Sequence, residues 1–486
     1  MNVLTGRFRP TLITGILVLI ALAVGAAAIT TQSLWMDEGN MMYKAVTPSV
    51  SILWACATHY GGSEIQMPLF TLCLWGWEKI AGVSEYALRA INLPFLALMV
   101  LSFRRYRFWP LVCLTSPFVL YYVGELRPYM FQMAGGALGF SALCGILQRD
   151  GEMEDMAGVH ALIGSALFLA ATSLTAAVCS VGLVLALVVA RPCWLARGRF
   201  WLKVAGWVPI ALLLLGYYGY TLMAGYRGTM DRGGGLLSMG FGCYEMMGLL
   251  GLGPGRDAFR SADIVGLIAG NPWLPLAALV IVVAWWSGLK EFFGCYSWRA
   301  RVALVCSVFF PLLIFIGLSV VAHFSVLGRH MSPLIPVLLV PLACACEAAV
   351  TRPLLRPVVI AVLLCGGVSA VMLRFSNKHA RDDYRGATRL VLEALRKGRS
   401  VLWRADMNTP RYYAFREGGA PLVQYIQILE PDPREDSTSV DLKSFDIIFI
   451  NRPDLSGAQG ERGTIFRQAG FKLCPKLTGF EIWDRR

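Results

Sequence analysis

Leu34-Trp35-Met36-Asp37-Glu38-Gly39 follows directly on the first long apolar run, Thr11 to Ile29, and sets two adjacent carboxylates where the chain leaves that run. An ionised side chain costs about 2.5–3.5 kcal/mol at the centre of a bilayer. If the run spans a membrane, the doublet lies at or beyond its surface. The run is long enough to span. Arg7 and Arg9 ahead of it and Ala26-Ala27-Ala28 near its end also fit a cleaved signal peptide, but its length favours an uncleaved anchor.

Composition extends that reading to the whole chain. Of 486 residues, 56% are hydrophobic and only 15% are charged. Soluble domains carry about 25% charged residues, so this is the balance of a polytopic membrane protein. The net charge of +13 sits mostly in short basic clusters between apolar runs, as in cytoplasmic loops facing anionic headgroups. No basic stripe interleaved with aromatics suggests a nucleic-acid partner. Most of the 13 cysteines lie inside apolar runs and no CxxC pair occurs, so they read as packing residues.

Eleven spans are expected, at about 11–30, 88–103, 108–124, 129–147, 158–173, 175–190, 202–222, 273–289, 302–322, 333–350 and 356–373. The apolar stretch 67–81 is short and contains Glu78 and Lys79, so it is read as a helix lying in the outer interface. With that choice the clusters at Arg104-Arg105-Tyr106-Arg107, Arg191 to Lys203, Lys290 to Arg301 and Arg352 to Arg356 all fall inside, with the N-terminus. Segment 31–87, the turn Glu125-Leu126-Arg127-Pro128, loop 223–272, the turn at Arg329-His330 and the C-terminus then open on the other face. Only Ser173-Leu174 separates 158–173 from 175–190, and reading those two as one kinked element would invert everything after Arg191.

Beyond Arg374 the composition changes, with 20 basic and 15 acidic residues in 374–486. Asp382 to Lys397 has helical spacing; Ser400 to Trp403, Leu422 to Ile428 and Phe445 to Ile450 read as strands. A further helix is expected near Arg462 to Gln468, and a last strand ends in Ile482-Trp483. The expected organisation is a membrane domain over 1–373 and a small extracytoplasmic α/β domain over 374–486. Without a GxGxxG fingerprint or a P-loop, nucleotide binding has no support.

For Asp37-Glu38 the structural reading is a helix start, with Ser33 or Asp37 as cap and Glu38 at the positive end of the dipole. The functional reading is a general base, since an aspartate is ionised at neutral pH and can take a proton from an alcohol. Downstream come His59-Tyr60-Gly61-Gly62-Ser63-Glu64, Met67-Pro68-Leu69-Phe70 and Gly82-Val83-Ser84-Glu85-Tyr86-Ala87-Leu88-Arg89. Structurally these are a glycine turn, a proline at a helix start and an arginine reaching the interface.

Together with Trp35-Met36-Asp37-Glu38, these segments resemble the C-type superfamily of membrane glycosyltransferases, closest to the bacterial relatives of protein O-mannosyltransferases and the aminoarabinose transferases. Tyr121-Tyr122-Val123-Gly124-Glu125-Leu126-Arg127-Pro128-Tyr129 is similar to that family's Tyr-Ser-Gln-Glu-x-Arg-Pro-Tyr segment. Arg329-His330-Met331-Ser332-Pro333 is similar to its Arg-Tyr-x-x-Pro turn, and Asp383-Tyr384-Arg385 to an element that opens its terminal domain. The chain departs at Met67, where the family has the first of two prolines, and at Gln66, where a His or Lys is common. It also lacks a His near Thr172-Ser173-Leu174. These departures bear on the donor sugar rather than on the reaction class.

The resemblance implies a sugar on a polyprenyl phosphate as donor, a glycan, lipid or protein acceptor, and a site in the plasma or inner membrane. Asp37 would be the base with Glu38 beside it. Glu125, Arg127, Tyr129, Arg329, His330, Glu64 and Arg89 would bind donor phosphate and sugar, with Glu125 orienting Arg127 or holding the sugar. Glu38 and Glu64 would hold hydroxyls, or a divalent ion where one is bound; no other cofactor is implied. The leaving lipid phosphate has a second pKa near 6 and departs without a general acid, whereas a glycosidase needs two carboxyl groups across the bond. In the structural reading, Arg127 only pairs with Glu125, and Arg329-His330 is an interfacial anchor. The rival functions are a transporter or flippase for lipid-linked glycans, which calls for ionisable groups deep in the spans, and a non-catalytic anchor for the C-terminal domain. Loop 223–272, with Tyr226, Arg227, Asp231 and Gly233-Gly234-Gly235, reads as a substrate gate or as plain disorder.

Overall fold

A computed structural model describes residues 10–60, 63–148, 156–224, 236–255, 264–376, 379–416, 426–428, 442–451, 459–474 and 477–485. Arg7, Arg9, Tyr226, Arg227, Asp231 and glycines 233–235 lie outside those residues, as does the side chain of His59. The chain divides into two compact units. The first holds 1–30, 55–77 and 89–379; the second holds 31–54, 78–88 and 380–486. The second unit takes in the chain from Ala380 onward and two segments from its N-terminal part, while helix Arg356–Phe375, with Arg374, lies in the first.

The first unit is helical because an apolar run satisfies its own backbone groups only as a helix when water is absent. Among the described residues seven helices are long and apolar enough to cross a membrane: Glu85–Ser102, Tyr129–Gln148, Gly198–Met223, Trp273–Gly294, Trp298–Val321, Gly328–Thr351 and Pro353–Phe375. Shorter apolar helices cover Gly15–Ala28, Met156–Thr172 and Leu174–Ala190. The segment read as a span over 108–124 is two helices, Trp109–Thr115 and Pro117–Val123. Pro117 cannot continue a helix from the preceding turn, and Ser116 caps the new one by accepting from the Val119 N–H at 3.4 Å. The stretch 67–81 is a helix of 14 residues, Pro68–Ala81, opened by Pro68.

The joint at Ser173 resolves into two helices. Ser173 is extended (φ −168°, ψ 159°) and its hydroxyl accepts from the Ala176 N–H at 3.0 Å. The helices fold back on each other, and the Ser180 hydroxyl donates to the Ala166 carbonyl at 2.7 Å. Close helix approach uses small residues: a Cβ on Gly136 would strike the Pro333 carbonyl, and one on Gly288 the Pro341 carbonyl. Within the expected loop 223–272 there are helices Leu236–Met246 and Ile264–Gly270. Phe241, Tyr244 and Leu249 pack there with Leu274 and Ala277, so this part of the loop is folded.

The second unit carries a five-stranded sheet of β1 (Val401–Arg404), β2 (Ile426–Ile428), β3 (Ile447–Asn451), β4 (Lys472–Leu473) and β5 (Phe480–Asp484). The order is β2-β1-β3-β5-β4; β1 is parallel to β2 and β3, and β5 is antiparallel to β3 and β4. Helix Tyr384–Arg396 buries Tyr384, Ala387, Val391 and Ala394 of its apolar period, while Leu390 of the same period is exposed and Leu392 is buried instead. Asp383 caps it on the Gly386 N–H at 2.9 Å. Leu402, Ile448, Ile450, Phe466, Phe471 and Trp483 form the core. Helix Asn408–Arg416 and β4 are additions to what the sequence predicts.

Candidate active site

In the second unit the acidic doublet opens helix Met36–Ala45. Trp35 is the extended residue before it (φ −92°, ψ 172°), Asp37 is the second helical residue and Glu38 the third. The Glu38 carboxylate reaches back to accept from the Trp35 N–H at 3.4 Å, half of a capping box. That carboxylate is fully buried, and Arg381 Nη1 sits 2.6 Å from its Oε2. Asp37, its neighbour, remains partly exposed. The two carboxylates thus differ: one is inside on a guanidinium, the other at the surface of its helix turn.

The strap leading into this turn is held as firmly. The Leu34 N–H donates to the Tyr413 hydroxyl at 2.7 Å, and the Arg385 N–H donates to the Ser33 hydroxyl at 3.1 Å. Arg385 also pairs with Glu85 at 2.8 Å. Burial pushes the Tyr413 phenol up to about 12, so it stays neutral. Gly39 lies so close to Thr409 that a side chain there has no room. Thr409 is fixed in turn by Asp406, whose Oδ2 accepts from its N–H at 3.0 Å and its hydroxyl at 2.8 Å.

In the first unit the structure brings Glu64 and Arg127 together. Arg127 Nη1 donates to Glu64 Oε1 at 2.8 Å and Nη2 to the Ser63 hydroxyl at 3.2 Å, both ends buried. The partner read from the sequence, Glu125, meets Arg127 through the backbone, where the Arg127 N–H donates to the Glu125 carbonyl at 2.8 Å. Glu64 lies in the 3-10 turn Ser63–Gln66 just ahead of Pro68. Arg127 sits two residues before helix Tyr129–Gln148.

The turn between Val123 and Arg127 leaves carbonyls without helical partners, and side chains supply them. Asn92 Nδ2 donates to the Val123 carbonyl at 3.1 Å and to the Glu125 carbonyl at 2.7 Å. Arg374 Nη2 donates to the Gly124 carbonyl at 3.2 Å. Arg89 is fully buried rather than reaching an interface, and its Nη1 donates to the Thr30 carbonyl at 2.9 Å. The Tyr129 ring is buried edge-on to Tyr122, with centroids 4.8 Å apart.

Arg329 and His330 belong to the 3-10 turn Gly328–Leu334, and both are partly exposed. His330 Nδ1 accepts from the Leu327 N–H at 3.1 Å, and Glu245 accepts from the Gly328 N–H at 3.0 Å. The Ser332 hydroxyl donates to Gln132 Oε1 at 2.5 Å, and Gln132 Nε2 donates to the Ser173 hydroxyl at 2.8 Å. Gln132 lies in the first turn of helix 129–148, so the Arg329 turn is fastened to the end of the helix that Arg127 precedes.

Asn92, Gln132, Ser173, Ser332, Arg374 and Arg381 are not found by reading motifs. Their work is done by polar contacts between residues far apart in sequence. Ser332 and Ser173 lie inside segments that the sequence singles out, Arg329 to Pro333 and Thr172-Ser173-Leu174, and Arg381 stands two residues before Asp383-Tyr384-Arg385, but none of them was read as a site residue. Among the described residues no group of three or more His, Cys, Asp or Glu could hold a metal ion. Glu38 and Glu64, the two residues considered for one, each have a guanidinium on the carboxylate, which competes with a cation for the same oxygens.

The fold is shared with solved structures. ArnT from Cupriavidus metallidurans bound to undecaprenyl phosphate matches with a TM-score of 0.55 at 12% identity, covering 97% of this chain and 98% of that one. ArnT in the apo state gives 0.55 at 13%, covering 98% and 99%. The cryo-EM structure of the arabinofuranosyltransferase AftD from Mycobacteria gives 0.50 at 13%, covering 97% of this chain and 39% of that one. At such identities the likeness is one of fold. No family model matches the chain, and no curated protein does.

Proposed function

We propose that the chain is an inverting glycosyltransferase that moves a sugar from a polyprenyl-phosphate donor to an acceptor hydroxyl on the extracytoplasmic face of the membrane. The observation that carries this reading is the end of helix 129–148. A buried Arg127, aligned by Glu64, stands just ahead of its first turn, and the Arg329 turn is bonded to that same turn. Helix N-termini and arginine forks favour phosphate, and the fold is one that in ArnT holds undecaprenyl phosphate.

In the reaction, Asp37 accepts the proton of the acceptor hydroxyl as that oxygen bonds to the anomeric carbon. The bond from that carbon to the phosphate oxygen breaks, configuration inverts, and polyprenyl phosphate leaves. Arg127 and Arg329 stabilise the charge gathering on the phosphate, Glu64 and Glu125 fix the arginine and the sugar, and Tyr129, His330 and Arg89 support the donor pocket. The N-terminus is cytoplasmic and the α/β domain extracytoplasmic, in the plasma or inner membrane.

The distribution of charge disfavours the transporter reading. In the seven long apolar helices every Asp, Glu, Lys and Arg lies within six residues of an end. The test is release of polyprenyl phosphate from a panel of polyprenyl-phosphate sugars by purified protein in lipid. Wild type should turn over at least one donor, and Asp37→Asn should lose about 100-fold or more of the rate while keeping its fold and donor binding. No release from any donor by folded wild type overturns the reading; Asp37→Asn turning over at the wild-type rate removes Asp37 as the base.

A further inference from the structure

We infer that Arg381 is a positioning residue for the transfer reaction, acting through Glu38 to hold the turn that presents Asp37. The inference rests on the assignment of Asp37 as base. Glu38 cannot serve the substrate while its carboxylate is enclosed: it is fully buried, with Arg381 Nη1 at 2.6 Å and the Trp35 N–H at 3.4 Å. The doublet divides its work, Asp37 remaining partly exposed and Glu38 anchoring the turn inward.

Three features make this anchor more than a surface ion pair. Both side chains are almost wholly out of water, with 5% of Arg381 and none of Glu38 exposed, so the pair is little screened by salt. The contact is made at the third residue of helix 36–45, one position after Asp37, so a shift of Glu38 moves the base with it. The strap before the turn is tied to the same part of the chain, through Tyr413 to Leu34 and Arg385 to Ser33. Residues 381–413 thus set where the candidate base stands. The α/β domain belongs to the catalytic machinery and is not an accessory.

Positioning should appear in turnover rather than in donor affinity, because a misplaced base weakens only the step in which it takes a proton; a displacement of about 1 Å can cost about 100-fold. The experiment compares wild type, Asp37→Asn, Arg381→Met and Arg381→Lys in lipid, reading kcat and donor KM per folded molecule. Arg381→Met should lower kcat by about 10- to 100-fold with donor KM within about threefold of wild type. Arg381→Lys restores the charge at a contact made by one nitrogen and should recover most of the loss. If Arg381→Met cannot be purified folded, Arg381→Met/Glu38→Gln, which removes the stranded carboxylate, replaces it with the same expectation.

A wild-type kcat for the Met variant, or a Lys variant no better than Met, overturns the inference while an inactive Asp37→Asn leaves the base assignment standing. An Asp37→Asn protein as active as wild type overturns both.

Discussion

Glu64 and Arg127 show how a buried pair behaves when only one member is changed. Removing one partner strands the other charge out of water, which costs about 3–5 kcal/mol, whereas replacing both by apolar groups of similar volume is often close to neutral. Glu64→Leu should therefore lower the thermal unfolding temperature in detergent more than the Glu64→Leu/Arg127→Met double variant does. A double variant less stable than the single would show that the pair contributes through attraction rather than by avoiding a stranded charge. Arg127 was legible in the sequence as a candidate; its ion pair with Glu64 was not. Glu125 is two positions away and its carbonyl accepts from the Arg127 N–H, while the guanidinium also reaches a residue 63 positions earlier. Periodicity and motif spacing report neighbours along an element, and contacts of this range leave no trace in either.

Helices were the more readable level, since an apolar run in a membrane has little other choice of structure. Departures come where a local rule acts against the run, as at Ser116-Pro117, or where a helix is held by capping and contacts rather than by an apolar stripe. Helix 408–416 is of the second kind, started by the Asp406 carboxylate on Thr409. Packing between helices gives a sharper test. Gly136→Ala drives a methyl into the Pro333 backbone and should destabilise by about 1–3 kcal/mol. It should also raise donor KM by pushing the Arg329 turn away from helix 129–148. Gly145→Ala in the same helix meets nothing within 4 Å and should be neutral or slightly stabilising. Equal melting temperatures for the two variants would refute the close approach.

For the molecule as a whole, composition sufficed to place the chain in a membrane and to separate a polar C-terminal part, but not to show that 31–54 and 78–88 belong with that part. The second unit also carries a pH dependence of definite sign. The N–H and hydroxyl of Ser400 donate to Asp446 Oδ2 at 2.8 and 2.9 Å and hold that carboxyl below its usual range. A carboxylate with a depressed folded value stabilises above its unfolded pKa, about 3.9, and the contribution is lost as pH falls through the folded value. Amide protection in 400–404 and 447–451, read as exchange relative to the unfolded-chain rate at each pH, should fall below about pH 4. Asp446→Asn should exchange faster than wild type at pH 7 and lose part of that acid response; an unchanged response would remove Asp446 as its source.

Because Leu34 takes its hydrogen-bond acceptor from Tyr413, 379 residues onward, the segment carrying Asp37 cannot reach its final arrangement while the ribosome is still making the middle of the protein. The first apolar helix is inserted early, but the turn behind it waits for the last quarter of the polypeptide. Chains released prematurely, however many helices they have threaded through the bilayer, carry the acidic doublet without the partners that mould its turn.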